Sequence, residues 1–321
     1  MVMVLLCIFF MWYPQNVSNN IFVNDDADYA YAAKQGVIAN WFDLNALSWS
    51  VFLKKGIEKG MNNGEYSNLS KFIRSSNSIP FYRHYHGPLY YEVLAIAMKL
   101  SQNEHWLRLS GLVWLLFLAI SSVWVLWLLF PQLSYLAPVL ASATLGLSYT
   151  GFSAATLLTG HVLFACISLI SLATAGKWLT EKNNYWLICS GISGGLALAI
   201  IEYAVLIPFS ILIATMLNNR SLTKKYPKSV VRYSSIWILA ALIPLFVVWP
   251  AGIIKLTIVK NYMFLAYQLI MRDGIYGVQG ILDAWLNRIM YDPLTYSLAI
   301  GGLLCSVHLL YKRVNLHPML I

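Results

Sequence analysis

Long apolar runs separated by short polar gaps are the feature that most constrains what this chain can fold into. A helix needs about 20 apolar residues to cross the hydrocarbon core of a bilayer, and residues 107–130, 151–175 and 234–254 are runs of that order. Further apolar runs lie at residues 1–13, 88–100, 133–149, 185–217 and 294–311. Because 185–217 is too long for one crossing, we predict a hairpin there that turns near Glu202, and about nine crossings in all.

The composition excludes the main soluble classes. Hydrophobic residues make up 59% and charged residues 11% of the chain, against about 25% charged residues in soluble domains. Intrinsic disorder needs low hydrophobicity, and the net charge of +9 lies in the gaps between apolar runs, which disfavours nucleic-acid binding. We therefore predict an all-α polytopic membrane bundle in which residues 1–321 form a single domain.

The distribution of basic residues predicts the orientation. Residues 218–233 carry five Lys or Arg and no acid, which is typical of a cytoplasmic loop. Lys177 and Lys182 lie in a second basic gap between apolar runs. The polar segment 14–86 then becomes a large first external loop, with amphipathic surface helices expected at 41–57 and 66–73. The predicted localisation is a multi-pass protein of the bacterial inner or plasma membrane, with its site facing outward.

An acidic cluster follows the first apolar run. Asp25, Asp26 and Asp28 are three of the chain's 13 acids. Carboxylates at a membrane surface are often no more than solvated loop charges. A carboxylate at the edge of a membrane cavity can also be the base that activates a hydroxyl group. The cluster by itself leaves both interpretations open.

A basic and aromatic cluster comes directly before the run 88–100. Arg83, His84 and His86 precede Pro88, a residue suited to the first turn of a helix. The free N–H groups and the dipole at a helix start favour an anion, so the cluster predicts a phosphate site. An interfacial aromatic-basic belt explains the same composition.

Ionisable residues inside apolar runs are the other candidates. Glu202 interrupts 185–217, and acids in lipid tend to face a cavity. His161 lies in 151–175, where a hydrogen bond to a neighbouring helix is the simpler interpretation. Glu92 and Lys99 share a helical face and are expected to point into one interior. The cysteines lack metal-ligand spacing.

The order of these parts resembles the GT-C glycosyltransferases, in particular the branch with protein O-mannosyltransferases and the lipid A aminoarabinose transferase. That branch often carries Asp-Glu-Ala-Tyr-Tyr-Ala, where residues 25–30 read Asp-Asp-Ala-Asp-Tyr-Ala. It often carries His-Pro-Pro-Leu-Tyr-Tyr, where residues 86–91 read His-Gly-Pro-Leu-Tyr-Tyr. A downstream motif of that branch, which ends in a leucine and an arginine, is similar to residues 104–109.

The resemblance covers residues 1–217, and three departures stand out. Gly87 replaces a proline, Asp26 replaces a glutamate, and Glu202 stands where that branch often has a lysine. The last departure reverses a charge beside the expected donor site. The resemblance also implies that the chain is shorter than family members at both ends.

The activity implied by this resemblance is transfer of a sugar from a polyprenyl phosphate to a hydroxyl group of a lipid, glycan or protein, with inversion. It implies catalytic roles for Asp25 and Asp26, phosphate binding by Arg83, His84 and His86, and a lipid bilayer as the setting. The implied cavity lining is Tyr29, Tyr90, Glu92, Arg108, His161 and Glu202. No cofactor is required, although a divalent metal ion can be held by the two aspartates and a histidine.

Two other classes of function remain open. A transporter or flippase for a lipid-linked sugar would have the same anion site without the chemistry, and it would carry inverted repeats. A non-catalytic subunit of a larger membrane protein complex would explain the reversed charge at Glu202.

Overall fold

The computed structural model describes a set of helices and the segments that join them. The described residues are 25–34, 87–131, 139, 141, 149–218, 226–250, 253, 283, 286–287, 289–290, 292–293, 296–297, 300–301 and 304. Within them the regular elements are all helical, as predicted. They are α1 (Asp25–Lys34), α2 (Leu89–Leu100), α3 (Glu104–Leu129), α4 (Tyr149–Thr156), α5 (His161–Glu181), α6 (Asn184–Leu198), a 3₁₀ helix (Glu202–Val205), α7 (Leu206–Asn218) and α8 (Tyr226–Val248).

Three of these helices contain a segment long and apolar enough to cross a membrane. The segments are Trp106–Leu129, His161–Glu181 and Val230–Val248, and Tyr203–Thr215 is a shorter apolar helix. The chain is therefore compatible with a membrane protein, as its composition predicts. The count of about nine crossings and the outward orientation stay predictions, and the expected surface helices of the 14–86 loop lie outside the described residues.

The apolar run 151–175 is not one helix, which corrects the sequence-based boundary. Helix α4 ends at Thr156, and α5 begins at His161. The last carbonyl groups of a helix have no partner within that helix. Here the Arg108 guanidinium donates to the Thr156 carbonyl oxygen at 2.7 Å, so a residue distant in sequence satisfies the end of α4.

Two predicted basic gaps are also partly helical. Lys177 lies within α5 and forms an ion pair with Glu181 at 2.7 Å. Lys182 follows in a left-handed conformation with φ of 57° and ends the helix. Helix α8 begins at Tyr226, inside the predicted loop 218–233. Pairs of opposite charge four residues apart support a helix, and hydropathy alone does not register them.

Helix α6 is central to the described bundle, since it packs against both α5 and α8. A Cβ atom at Gly195 would overlap the Ala241 carbonyl oxygen of α8. Small residues let membrane helices approach closely. Within this contact, Trp237 Nε1 donates to Ser190 Oγ at 3.0 Å, and Ser171 Oγ donates to the Ser190 carbonyl oxygen at 2.8 Å. The sequence predicted the interruption of 185–217, which the structure has between Leu198 and Glu202.

Two of the clusters of buried side chains have members toward opposite ends of α5. The tyrosine cluster, defined by Tyr29, Tyr90 and Tyr91, includes Leu163 near the start of α5. The tryptophan cluster, defined by Trp178, Leu187 and Trp237, lies near the end of that helix. At 1.5 Å per residue, fifteen residues of α5 separate Leu163 from Trp178 by roughly 22 Å.

Candidate functional site

The tyrosine cluster joins two segments that are far apart in the sequence. Tyr29 of α1 stacks on Tyr91 with ring centroids 5.0 Å apart, and it meets Tyr90 edge to face at 5.3 Å. All three side chains are buried. Aromatic pairs in such geometries stabilise a contact by about 0.5–1.5 kcal/mol beyond the burial of their surface. The second half of α1 is therefore held against the start of α2.

Two ionisable residues, Glu92 and Arg108, are buried next in sequence to members of this cluster. Glu92 follows Tyr91 in the first turn of α2 and is 5% exposed. Arg108 follows Leu107, itself a member of the same hydrophobic cluster, and is 1% exposed. Ionisable groups in a membrane domain are costly and usually face the bundle interior. Both residues were predicted to line the cavity, and both are buried at this end of the bundle.

The start of α2 is also bonded to the end of α6. The Leu89 N–H donates to the Ala199 carbonyl oxygen at 3.0 Å. A Cβ atom at Gly87 would overlap that same carbonyl group, so a glycine at this position permits the contact. Gly87, which stands where the resemblance led us to expect a proline, thus contacts the residue that ends α6. Ala199 lies three residues before Glu202, so this contact places Gly87 near the start of the 3₁₀ helix.

The same hydrogen bond changes one part of the predicted phosphate site. The sequence argument relied on free N–H groups at the start of α2, but the Leu89 N–H is already bonded within the protein. The buried Glu92 places an acidic side chain in the first turn, so that helix end already carries an acidic residue. Binding of an anion would therefore depend mainly on the side chains of Arg83, His84 and His86, which lie outside the described residues.

The other predicted residues occupy different places. Asp25 and Asp26 are the first two residues of α1, one turn before Tyr29, and their side chains lie outside the described part. The side chain of Glu202 is also outside it. His161 is exposed and is the first residue of α5, next to Gly160, which packs against Tyr90 and Ile200.

One pairing was wrong. Lys99 is exposed, so it does not share an interior with Glu92. The reason is that only the first half of α2 is covered by neighbours. Its buried residues are Tyr90, Tyr91, Glu92, Leu94 and Ala95, whereas Ile96 and Leu100 are exposed.

Sequence reasoning missed the backbone partners of the site. Thr156 and Ala199 contribute carbonyl oxygens, and a carbonyl group is common to every residue, so no side-chain pattern marks them. Within the described ranges no group of three His, Cys, Asp or Glu residues could hold a metal ion. A metal site formed by Asp25, Asp26 and the histidines at 84 and 86 stays a prediction, because none of these side chains is described.

Comparison with known proteins returned no match among protein-family models, curated proteins or solved structures.

Proposed function

We propose that this chain is a membrane glycosyltransferase of the GT-C type that uses a polyprenyl-phosphate sugar as donor. The observation that supports the proposal most is the meeting of three distant segments at one end of the bundle. Helix α1, which starts at Asp25, packs on α2 through Tyr29 and Tyr91. Helix α2 begins three residues after His86 and is bonded to Ala199, which lies three residues before Glu202.

In the proposed reaction, the acceptor hydroxyl oxygen attacks the anomeric carbon of the sugar from the face opposite the phosphate. The bond between that carbon and the phosphate oxygen breaks, and configuration is inverted. Asp25 accepts the hydroxyl proton, and Asp26 positions the acceptor. The departing phosphate takes the electron pair, and cationic side chains stabilise it there.

The donor phosphate is assigned to Arg83, His84 and His86. A guanidinium group forms two parallel hydrogen bonds with phosphate, and charge-assisted bonds are about twice as strong as neutral ones. A divalent metal ion bound by the aspartates would neutralise the same charge. In this proposal Arg108 stabilises the wall of the cavity, because its guanidinium donates a hydrogen bond to the Thr156 carbonyl oxygen.

The experiment is transfer of a labelled sugar from a polyprenyl phosphate by the purified full chain. Asp25→Asn keeps the size of the side chain and removes its basic oxygen, so turnover should fall about 10²–10⁴-fold while donor binding is retained. Asp283→Asn, at an exposed aspartate in the described part, is the matched control and should retain turnover.

Three outcomes contradict the proposal. Near-normal turnover in Asp25→Asn would contradict the assignment of Asp25 as the base. If Asp26→Asn also kept near-normal turnover, the proposed mechanism would be wrong. Movement of the lipid-linked sugar across vesicles without product would indicate a transporter. Neither product nor movement would indicate a non-catalytic subunit.

A further inference from the structure

Exposed tryptophan and tyrosine side chains lie at the two ends of the described bundle. Among the side chains that the structure describes, the exposed ones of these two types are Trp106, Trp124, Trp127, Tyr185 and Tyr203. Each combines a large apolar ring with one polar N–H or O–H group. Residues of this kind are enriched where a bilayer meets water. Their levels along the bundle therefore bear on how it sits in a membrane.

The first aromatic set, Trp106 and Tyr203, lies at the tyrosine cluster. Trp106 precedes Leu107, and Tyr203 follows Ile201 by two residues. Leu107 and Ile201 are both buried members of the tyrosine cluster. The Trp106 Nε1 group donates to the Ala97 carbonyl oxygen at 3.2 Å, near the end of α2. Both exposed rings therefore mark the level of that cluster.

The second aromatic set is Trp124, Trp127 and Tyr185, and it lies toward the end of α5. Leu107 and Leu163 share the tyrosine cluster, and Val125 and Ala173 share another buried cluster. Helices α3 and α5 therefore run in the same direction, and the last turns of α3, with both tryptophans, lie toward the end of α5. Tyr185 is the second residue of α6, which begins three residues after α5 ends.

The separation of the two levels matches the thickness of a bilayer core. Trp106 and Trp124 lie five helical turns apart on α3, which is about 27 Å, and the hydrocarbon core is about 30 Å thick. Helix α5 gives a similar length independently. It carries the exposed His161 at its first residue and the ion pair of Lys177 in its last turns, and about 24 Å of helix separates these two residues.

The outer face of α3, defined by Val113, Phe117 and Ile120, joins the two levels. These are the exposed residues between Trp106 and Trp124, and none of them has a polar side-chain atom. Successive members of the series are seven, four, three and four residues apart, so they share one side of the helix. This side of α3 is therefore purely apolar in the middle and carries a ring with a polar atom at each end.

The size of these side chains distinguishes lipid from another helix as the partner. Helices packed together in membranes use small residues that let their backbones approach. Helix α6 does so, since its Gly191, Gly194 and Gly195 all lie against α8. The outer face of α3 has large side chains instead, and Phe117 is 50% exposed. The chemistry of this face therefore matches acyl chains.

We propose that the two aromatic sets lie in the headgroup regions of opposite leaflets, and that the outer face of α3 contacts acyl chains between them. The tyrosine cluster lies at the level of the first aromatic set. It therefore meets the headgroup region of one leaflet and not the centre of the bilayer. This placement follows from the positions of exposed side chains and does not rest on the proposed sugar transfer.

The first test measures depth along the outer face of α3. The full chain, with its four cysteines replaced by serine, carries one introduced cysteine labelled with a nitroxide and is reconstituted into phosphatidylcholine vesicles. Collisions of the label with oxygen, which concentrates in hydrocarbon, are compared with collisions with a water-soluble nickel chelate. The labels of Val113→Cys and Phe117→Cys should both lie roughly 10 Å deeper than those of Trp106→Cys and Trp124→Cys.

The second test compares the same levels on other helices. The label of Tyr203→Cys should be as shallow as that of Trp106→Cys, and the label of Tyr185→Cys should be as shallow as that of Trp124→Cys. Gln102→Cys is the control for a label in water, because Gln102 is exposed and polar and precedes α3. Its label should collide with the nickel chelate more often than any of the other four.

Each labelled variant must first show the thermal transition of the unaltered chain in detergent. If Phe117→Cys does not fold, Ile120→Cys replaces it, with an expected depth of roughly 6 Å below the level of Trp124. Depth that increases steadily from Trp106→Cys to Trp124→Cys would overturn the proposal, as would a deep label at Tyr203→Cys or Tyr185→Cys. A label at Phe117→Cys that neither reagent reaches would show that protein, and not lipid, covers α3.

Discussion

The two ends of α5 bury different chemistry. The tyrosine cluster brings together α1, α2 and the turn after α6, and it lies beside the buried ionisable side chains of Glu92 and Arg108. The tryptophan cluster lies among helices between residues 161 and 248, where the buried polar partners are hydroxyl groups such as those of Ser171 and Ser190. Buried charge is far more expensive than a buried hydroxyl group.

This difference in buried chemistry should have consequences for stability. Small residues and hydroxyl groups suffice to associate membrane helices. Charges are retained in such an interior where a cavity, a substrate or a proton needs them. The comparison therefore predicts that substitutions at the tyrosine cluster cost more stability than substitutions of similar size at the tryptophan cluster.

The largest effect on stability is expected at Arg108. Arg108→Met keeps much of the apolar stem but removes the hydrogen bond that the guanidinium donates to the Thr156 carbonyl oxygen. The free energy of unfolding should fall by about 3 kcal/mol, because a hydrogen bond from a charged and buried group is lost. Thermal unfolding in detergent measures the change.

The control for this prediction is another substitution of a cation. Lys99→Ala removes an exposed cation from α2 and should change stability by less than about 0.5 kcal/mol. A loss at Arg108 no greater than that would show that burial of its charge does not matter.

A smaller effect is expected at Gly87. Gly87→Ala places a Cβ atom against the Ala199 carbonyl group, and overpacking of this kind costs about 1–3 kcal/mol. The matched control is Gly301→Ala in the described part of the chain, because nothing lies within 4 Å of a Cβ atom there. Equal melting temperatures for the two variants would contradict the close contact between α2 and α6.

The smallest effect is expected at the tryptophan cluster. Ser190→Ala removes the acceptor of the Trp237 indole N–H, and hydrogen bonds between membrane helices contribute about 0.6 kcal/mol on average. Ser210→Ala serves as control, since the Ser210 hydroxyl is exposed and donates to Leu206 within its own helix. Unfolding in mixed micelles would resolve the difference, and a loss as large as that of Arg108→Met would break the comparison between the two ends.

Hydropathy alone was enough to predict helices long and apolar enough to cross a membrane. The apolar runs and the low charge predicted an all-helical membrane chain, and the break within 185–217 was predicted from its excessive length. These features are local, because a helix satisfies its backbone hydrogen bonds within one segment. The predicted positions of the helix ends were less accurate. The ends of α4 and α5 depend on Arg108 and on the ion pair of Lys177 with Glu181.

The tertiary structure alone decided which distant residues meet. It placed Tyr29 on Tyr91, Gly87 on Ala199 and Arg108 on Thr156, and it left Lys99 exposed on the same helix that buries Glu92. Two of these contacts involve a backbone carbonyl group, which every residue possesses and no sequence pattern marks. Periodicity along a helix shows which residues share a face, whereas burial depends on which neighbour covers that face, and that neighbour comes from elsewhere in the chain.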